Sequence, residues 1–258
     1  KRFTVHTAAQ HYTPAGVSIT VDLMRRGVDI IHSAPVANKR NKTFGLADLL
    51  VRSDLLKDLC PGLTITDAEA RNGCRFSEDW HYRVLDIKFS TLKMCADGIH
   101  HLNSGNARAN KCQVWVYNLA LGELQGYSPE AAYLLGRRWT QPSRNASGFS
   151  CFERLATIAF KGHDKMLLPA FSEAIQWSRD LQTEGVRWVV APPSRDELYP
   201  NMCVESGAWQ SRKRQIADEL GDITQVWMCG RKQRDEAFKN GIRSWRDERL
   251  NSEILRIG

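Results

Sequence analysis

The chain lacks the cysteine pattern of a stapled or zinc-bound domain. Its seven cysteines, Cys60, Cys74, Cys95, Cys112, Cys151, Cys203 and Cys229, are dispersed and odd in number, with no Cys-x-x-Cys pair. That argues against a disulfide framework and against a structural zinc site, and it suits a reducing, intracellular compartment. No apolar run approaches the ~20 residues needed to cross a bilayer, so no membrane partner is expected. No secretory leader pattern opens the sequence. Internal repeats and low-complexity tracts are also missing, which excludes solenoids and disordered tails.

What is present is ordinary for a folded chain. Of 258 residues, 42% are hydrophobic and 25% charged, enough for one large domain or two modest ones. The formal charge is +7. A basic balance favours a polyanionic partner through steering and counterion release. The 8 tryptophans suit either base stacking or core packing.

Three segments carry candidate chemistry. Tyr82 to Ser90 is an apolar, β-branched run that reads as a strand, so Asp86 and Lys88, two apart, share a face. A carboxylate beside an ammonium on a rigid strand suits metal-assisted phosphodiester cleavage; an exposed strand salt bridge is the plain alternative. Thr43 to Arg52 is a second strand-like run with one acid, Asp48, in an apolar stretch. Burying it is costly unless it is paired or bound to metal; the alternative is a turn after Gly45. Two antiparallel strands would bring Asp48 and Asp86 together as ligands for one hard cation, with the Ile87 carbonyl as a further oxygen. Ala107 to Gly122 reads as a helix ending near Gly122. On it Gln113 and Tyr117, four apart, share a face and would aim at a phosphate backbone or simply pack.

Gly45-x-x-Asp48, Asp86-Ile87-Lys88 and Gln113-x-x-x-Tyr117, in this order and spacing, resemble the RecB-like branch of the PD-(D/E)XK nucleases, over roughly residues 20 to 245. The likeness is to a group in which the nuclease domain precedes a helix-hairpin-helix-like segment. It implies an α/β (α+β) fold: a restriction-endonuclease-like core with a mixed central sheet flanked by helices, plus a small helical C-terminal segment. It implies Asp48 and Asp86 as metal ligands for Mg²⁺ or Mn²⁺, Lys88 as the catalytic lysine, and Gln113 and Tyr117 as DNA contacts. His32 is a further ligand candidate, because several members place a histidine before the first acid; a packing or surface histidine is the alternative. Some relatives hold an iron–sulfur cluster on four cysteines, with a close group near the end of the nuclease domain. No such group occurs here, so no cluster is expected. The chain opens on Lys1, which leaves room for an upstream helix of the core. The implied activity is metal-dependent hydrolysis of DNA, of an exonuclease or end-processing kind. The rival is a silent nucleic-acid-binding module or adaptor that keeps the fold.

The rest of the chain reads as organisation. Residues 1–33 are loop and helix leading into a short strand. Cys60-Pro61-Gly62 is a turn and Leu63–Ile65 a short strand. Ala131–Arg137 is a core strand, 140–150 a loop, Phe152–Phe160 another strand, and Leu167–Gly185 an amphipathic helix with Leu168, Phe171, Ile175, Ser178 and Leu181 on one side. Ala191-Pro192-Pro193 is the best boundary, giving a nuclease domain over 1–190 and a helical, hairpin-like segment over 196–258. Within it Trp209–Leu220 reads as a helix, followed by a short helix over 223–229, a glycine turn at Gly230, a second helix, and Gly241-Ile242. Residues 209–249 hold ten Lys/Arg against seven Asp/Glu. Such hairpins offer backbone N–H groups to a phosphate without reading sequence; a helical packing cap is the alternative. Leu198–Met202 and Lys213 match the family lead-in to this hairpin without a chemical role.

Overall fold

A computed structural model describes residues 2–257. The chain divides into two compact units, the first running to Glu173 and the second starting at Ala174.

The first unit is built on strands β1 (Val5–Thr7), β2 (Ile30–Asn38), β3 (Thr43–Arg52), β4 (Tyr82–Lys93), β5 (Ala131–Gln141), β6 (Ala146–Gly148) and β7 (Ala156–Ala159). Its helices are α1 (Pro14–Arg25), α2 (Leu56–Leu59), α3 (Asp67–Ala70) and α4 (Ala107–Gln125); α5 (Leu168–Glu184) spans the division. The strands form one seven-stranded sheet in the order β1-β2-β3-β4-β5-β6, with β7 also on β5. β2, β3 and β4 are an antiparallel meander, β1 runs parallel to β2, and β5 runs parallel to β4. A parallel return strand needs a long crossover, and α4 supplies it between β4 and β5. The expected mixed sheet with flanking helices is therefore present.

Both faces of the central strands are covered. On one, Leu23 and Met24 of α1 and Val114, Ala120 and Leu121 of α4 pack on Ile31, Leu50, Val84 and Leu134. On the other, Leu56, Cys60, Leu63 and Ile65 pack on Val51, Leu85, Tyr133 and Leu135. Burial on two faces explains why β4 and β5 begin as nearly unbroken apolar runs rather than alternating ones. It also corrects the strand expected at Leu63–Ile65: those residues lie outside any strand, and their side chains plug the second core.

Local signals set the ends. Thr13 caps α1, its Oγ1 accepting from Gly16 N at 2.9 Å, with Pro14 at the first helical position. The expected stop at Gly122 lies inside α4. The helix ends at Gly126, where φ is +73°, and Gly122 instead makes room for Ser128. β2 runs on through Pro35 to Asn38, so it is not short. The 140–150 loop contains β6, and the strand expected over Phe152–Phe160 contracts to β7. Only Phe171 is buried along the face expected to cover α5.

The second unit holds α6 (Gln210–Leu220), which buries Ile216 and Ala217, and α7 (Arg231–Lys239) and α8 (Ser252–Leu255), which share a core of Ile223, Cys229, Ala237, Ile242 and Leu255. The short helix expected before Gly230 is one 3₁₀ turn, Ile223–Gln225. Its start is fixed by Asp222 Oδ1, which accepts from Thr224 N at 2.9 Å; Ile223, Thr224 and Val226 are β-branched and resist a longer helix. Gly230 is the N-cap of α7 rather than a turn between two helices. Two of the cations counted toward a phosphate surface turn to backbone carbonyls: Arg234 donates to Pro200 O (2.8 Å) and Lys213 to Asn201 O (3.0 Å). The Pro200–Asn201 lead-in thus has a structural role. Among the described residues no helix is long and apolar enough to cross a membrane.

One buried ion pair anchors α4. Lys111 Nζ donates to Asp164 Oδ1 at 2.6 Å with both side chains fully buried, and to His101 O at 2.7 Å, while Asp164 Oδ2 accepts from Ala159 N at 3.0 Å. Lys111→Met strands a buried carboxylate and is expected to cost about 3–5 kcal/mol. Lys161→Met, which breaks the exposed pair with Glu130, should cost below about 1 kcal/mol. Urea unfolding of the two variants checks the contrast; equal losses would remove Lys111 as an anchor.

Candidate active site

The β3–β4 ladder runs from Arg52–Tyr82 to Leu49–Leu85 and stops there. One further step in the same register would set Asp48 opposite Asp86. Instead of continuing the ladder, Ile87 N donates to Asp48 Oδ2 at 2.7 Å. A side chain thus replaces a backbone acceptor where the strands part.

Asp86 lies at that parting and is 2% exposed. Its Oδ2 is 2.7 Å from Lys88 Nζ, an ion pair outside ideal hydrogen-bond geometry, and no other donor reaches that buried oxygen. Burial pushes the Asp86 carboxyl up to about 6; Lys88 pulls against this and the neighbouring Asp48 adds to it. Lys88 Nζ donates to Gln113 Oε1 at 2.6 Å, and Gln113 Nε2 donates to Tyr117 Oη at 2.8 Å. Burial raises the Tyr117 phenol as well; Gln113 opposes this, and Asp86 and Asp48 add to it. The five residues singled out in the sequence, Asp48, Asp86, Lys88, Gln113 and Tyr117, therefore form one polar cluster drawn from β3, β4 and α4.

Gly45 has a steric role here. A Cβ at this position would fall 2.7 Å from Tyr117 Cδ1 and nearer still to Cε1, so only glycine lets the Tyr117 ring lie on β3. Immediately after Lys88 the β4–β5 register slips, from Lys88–Gly136 to Thr91–Arg138, inserting one extra residue in β4. Such bulges re-aim side chains beside sites.

Ser33 was not evident from the sequence. The pairs His32–Leu49 and Ala34–Ala47 flank it, which sets it opposite Asp48, and its φ is +49°. Ile31 and Ala34, three apart, both enter the same core, so the strand alternation resets at Ser33. Serine carries no sequence signal for a left-handed conformation. His32 does not join the acids. Its ring nitrogens lie 3.1 Å from Thr7 Oγ1 and 3.2 Å from Ser33 Oγ.

The donor set suits a hard divalent cation held by two carboxylates, the rest of its shell being water, backbone carbonyl or substrate oxygen. Asp86 Oδ2, buried with Lys88 Nζ as its ionic partner and no well-aligned hydrogen bond, is an oxygen such a cation would satisfy. Among the described residues no three His, Cys, Asp or Glu side chains are grouped to hold a metal by themselves.

Two outcomes follow. Gly45→Ala is expected to lower stability by about 1–3 kcal/mol through overpacking and to displace Tyr117, measured by chemical unfolding and the tyrosine's NMR shifts; an unmoved ring would reject the steric role. Asp86 holds its proton more tightly folded than unfolded, so its stabilising contribution is complete below about pH 4 and lost as pH rises through about 6. In EDTA, Asp86→Asn should gain on wild type across that window by on the order of 3 kcal/mol. Parallel stability–pH curves would show that burial of this carboxyl carries no such cost.

No protein-family model matches the chain and no curated protein matches it, so the functional reading rests on this geometry.

Proposed function

We propose that the chain is a divalent-metal-dependent nuclease of the RecB-like PD-(D/E)XK type that hydrolyses DNA phosphodiester bonds, acting in an exonuclease or end-processing role. The observation that carries the reading is the meeting of two acids from adjacent strands, one almost fully buried with Lys88, two residues further on, as its ionic partner. The order α1-β2-β3-β4-α4-β5, a meander followed by a crossover to a parallel strand, agrees with a restriction-endonuclease-like core.

In this reading Asp48 and Asp86 hold Mg²⁺ or Mn²⁺, which when bound polarises the scissile phosphate and lowers the pKa of water. Asp48 is fixed by Ile87 N. Lys88 positions the attacking water or neutralises charge developing on the phosphate oxygens. Gln113 orients Lys88 by accepting from Nζ, and Tyr117 supports Gln113. The competing reading is a structural or adaptor protein in which Asp86 and Lys88 are only a salt bridge, and the 2.7 Å contact between them favours it.

End-labelled DNA with Mn²⁺ or EDTA separates the two. Metal-dependent cleavage is expected from wild type. Lys88→Ala should lose about 10²–10⁴-fold in rate with DNA affinity nearly unchanged, and Asp86→Ala should lose cleavage and the rise in Tm that Mn²⁺ gives wild type. That rise should be larger at about pH 8 than at about pH 5, because the metal must compete with the proton on Asp86. Neither cleavage nor a Mn²⁺-induced rise in a folded wild type would leave the salt bridge as the better account.

A further inference from the structure

Large apolar side chains open to water need an explanation when they cluster with charge of one sign. Phe89, the residue after Lys88, is 84% exposed, and Phe149, just beyond β6, is 78% exposed. Each ring carries a guanidinium from β5. Arg137 lies 4.9 Å from the Phe89 centroid and Arg138 lies 5.1 Å from that of Phe149. The two arginines are consecutive on β5, where the strand alternation resets between Leu134 and Trp139, both of which enter the first core. Both pairs sit beside the register slip between Lys88 and Thr91. Residues 87–93 and 135–152 together hold Lys88, Lys93, Arg137, Arg138 and Arg144 and no Asp or Glu.

We propose that this surface binds a single-stranded segment of nucleic acid, with bases stacking on Phe89 and Phe149 and phosphates paired by Arg137 and Arg138. An exposed ring takes any base, because every base has a π-face, and neighbouring arginines supply the electrostatic track. A duplex keeps its bases stacked and paired, so it has no free base face to offer these rings. An apolar protein partner would cover the phenylalanines but would give Lys93, Arg137, Arg138 and Arg144 no anion, whereas Lys88 already has Asp86. The proposal rests on the nuclease reading for its purpose: Phe89 follows Lys88 on β4, so a strand held there lies against the same β-strand that carries Asp86.

The test is fluorescence anisotropy of the full chain in EDTA. The probes are labelled oligo(dT) of about 20 nucleotides, an abasic strand of equal length, and a duplex. Wild type is expected to bind oligo(dT) roughly a hundredfold more tightly than the abasic strand, and Phe89→Ala and Phe149→Ala should each lose roughly tenfold on oligo(dT) only. Phe89→Tyr should retain binding, and Arg137→Ala with Arg138→Ala should flatten the salt dependence for both strands. Equal affinity for oligo(dT) and abasic strand, or unchanged oligo(dT) binding by both alanine variants, overturns the proposal. So does a duplex preference that survives them. A chain that keeps its Tm and binds no probe also overturns it, and passes the surface to a protein partner. EDTA makes these results independent of the acids. Binding as expected without Mn²⁺-dependent cleavage would sink the nuclease reading alone; cleavage with undiminished Phe variants would sink the stacking surface alone.

Discussion

The site depends on a carboxylate, Asp86, that is buried and left incompletely satisfied. Elsewhere in the first unit buried charge is closed off. Arg83 donates to His81 Nε2 (2.9 Å), Tyr133 Oη (2.9 Å) and Glu69 Oε1 (2.5 Å), and Asp164 is held by Lys111 and the Ala159 amide. Among the described carboxylates of that unit, Asp86 alone has a buried oxygen without a well-aligned hydrogen bond. Imperfectly satisfied polar atoms in otherwise well-satisfied interiors mark places where stability has been traded for something else. Here the cost arises from burial beside Asp48, and a cation between the two acids would remove it.

The parting of β3 and β4 makes that arrangement possible. Had the ladder continued, backbone groups would have engaged one another past Leu49–Leu85. Ser33, with its positive φ opposite Asp48, resets the alternation of β2, and the extra residue after Lys88 does the same between β4 and β5. The irregularities therefore flank the acids, one in β2 opposite Asp48 and one in β4 itself just past Asp86. They also place Phe89 at the slip, where no covering element shields it.

Much of this was legible in the sequence because the relevant signals are local. The span of β3 followed from a strand-like apolar stretch, and the face shared by Gln113 and Tyr117 followed from their spacing on a helix. What was not legible depends on tertiary partners. Gly122 looked like a helix stop, yet its missing side chain serves the approach of Ser128. Leu63 and Ile65 looked like strand residues, yet they fill a core from a loop. Ile223 to Val226 looked helical next to Gly230, but Asp222 captures the backbone after one turn. Ser33 had no signal, because its φ is imposed by the strands on either side.

Helix α4 converts these local features into a fixed distance. At one end Gln125 brackets the start of β4, its Oε1 accepting from Tyr82 N at 2.8 Å and its Nε2 donating to Tyr82 O at 3.0 Å. At the other, Gln113 accepts from Lys88. Twelve residues of helix rise about 18 Å, and six residues of strand rise about 20 Å, so an antiparallel helix can meet β4 at both points without strain. The Lys111–Asp164 pair fixes the same helix a further half-turn back. Lys88 is thus set by a rigid helix gripped at several places rather than by its own flexible stem, which is the precision that a lysine beside a reacting phosphate requires.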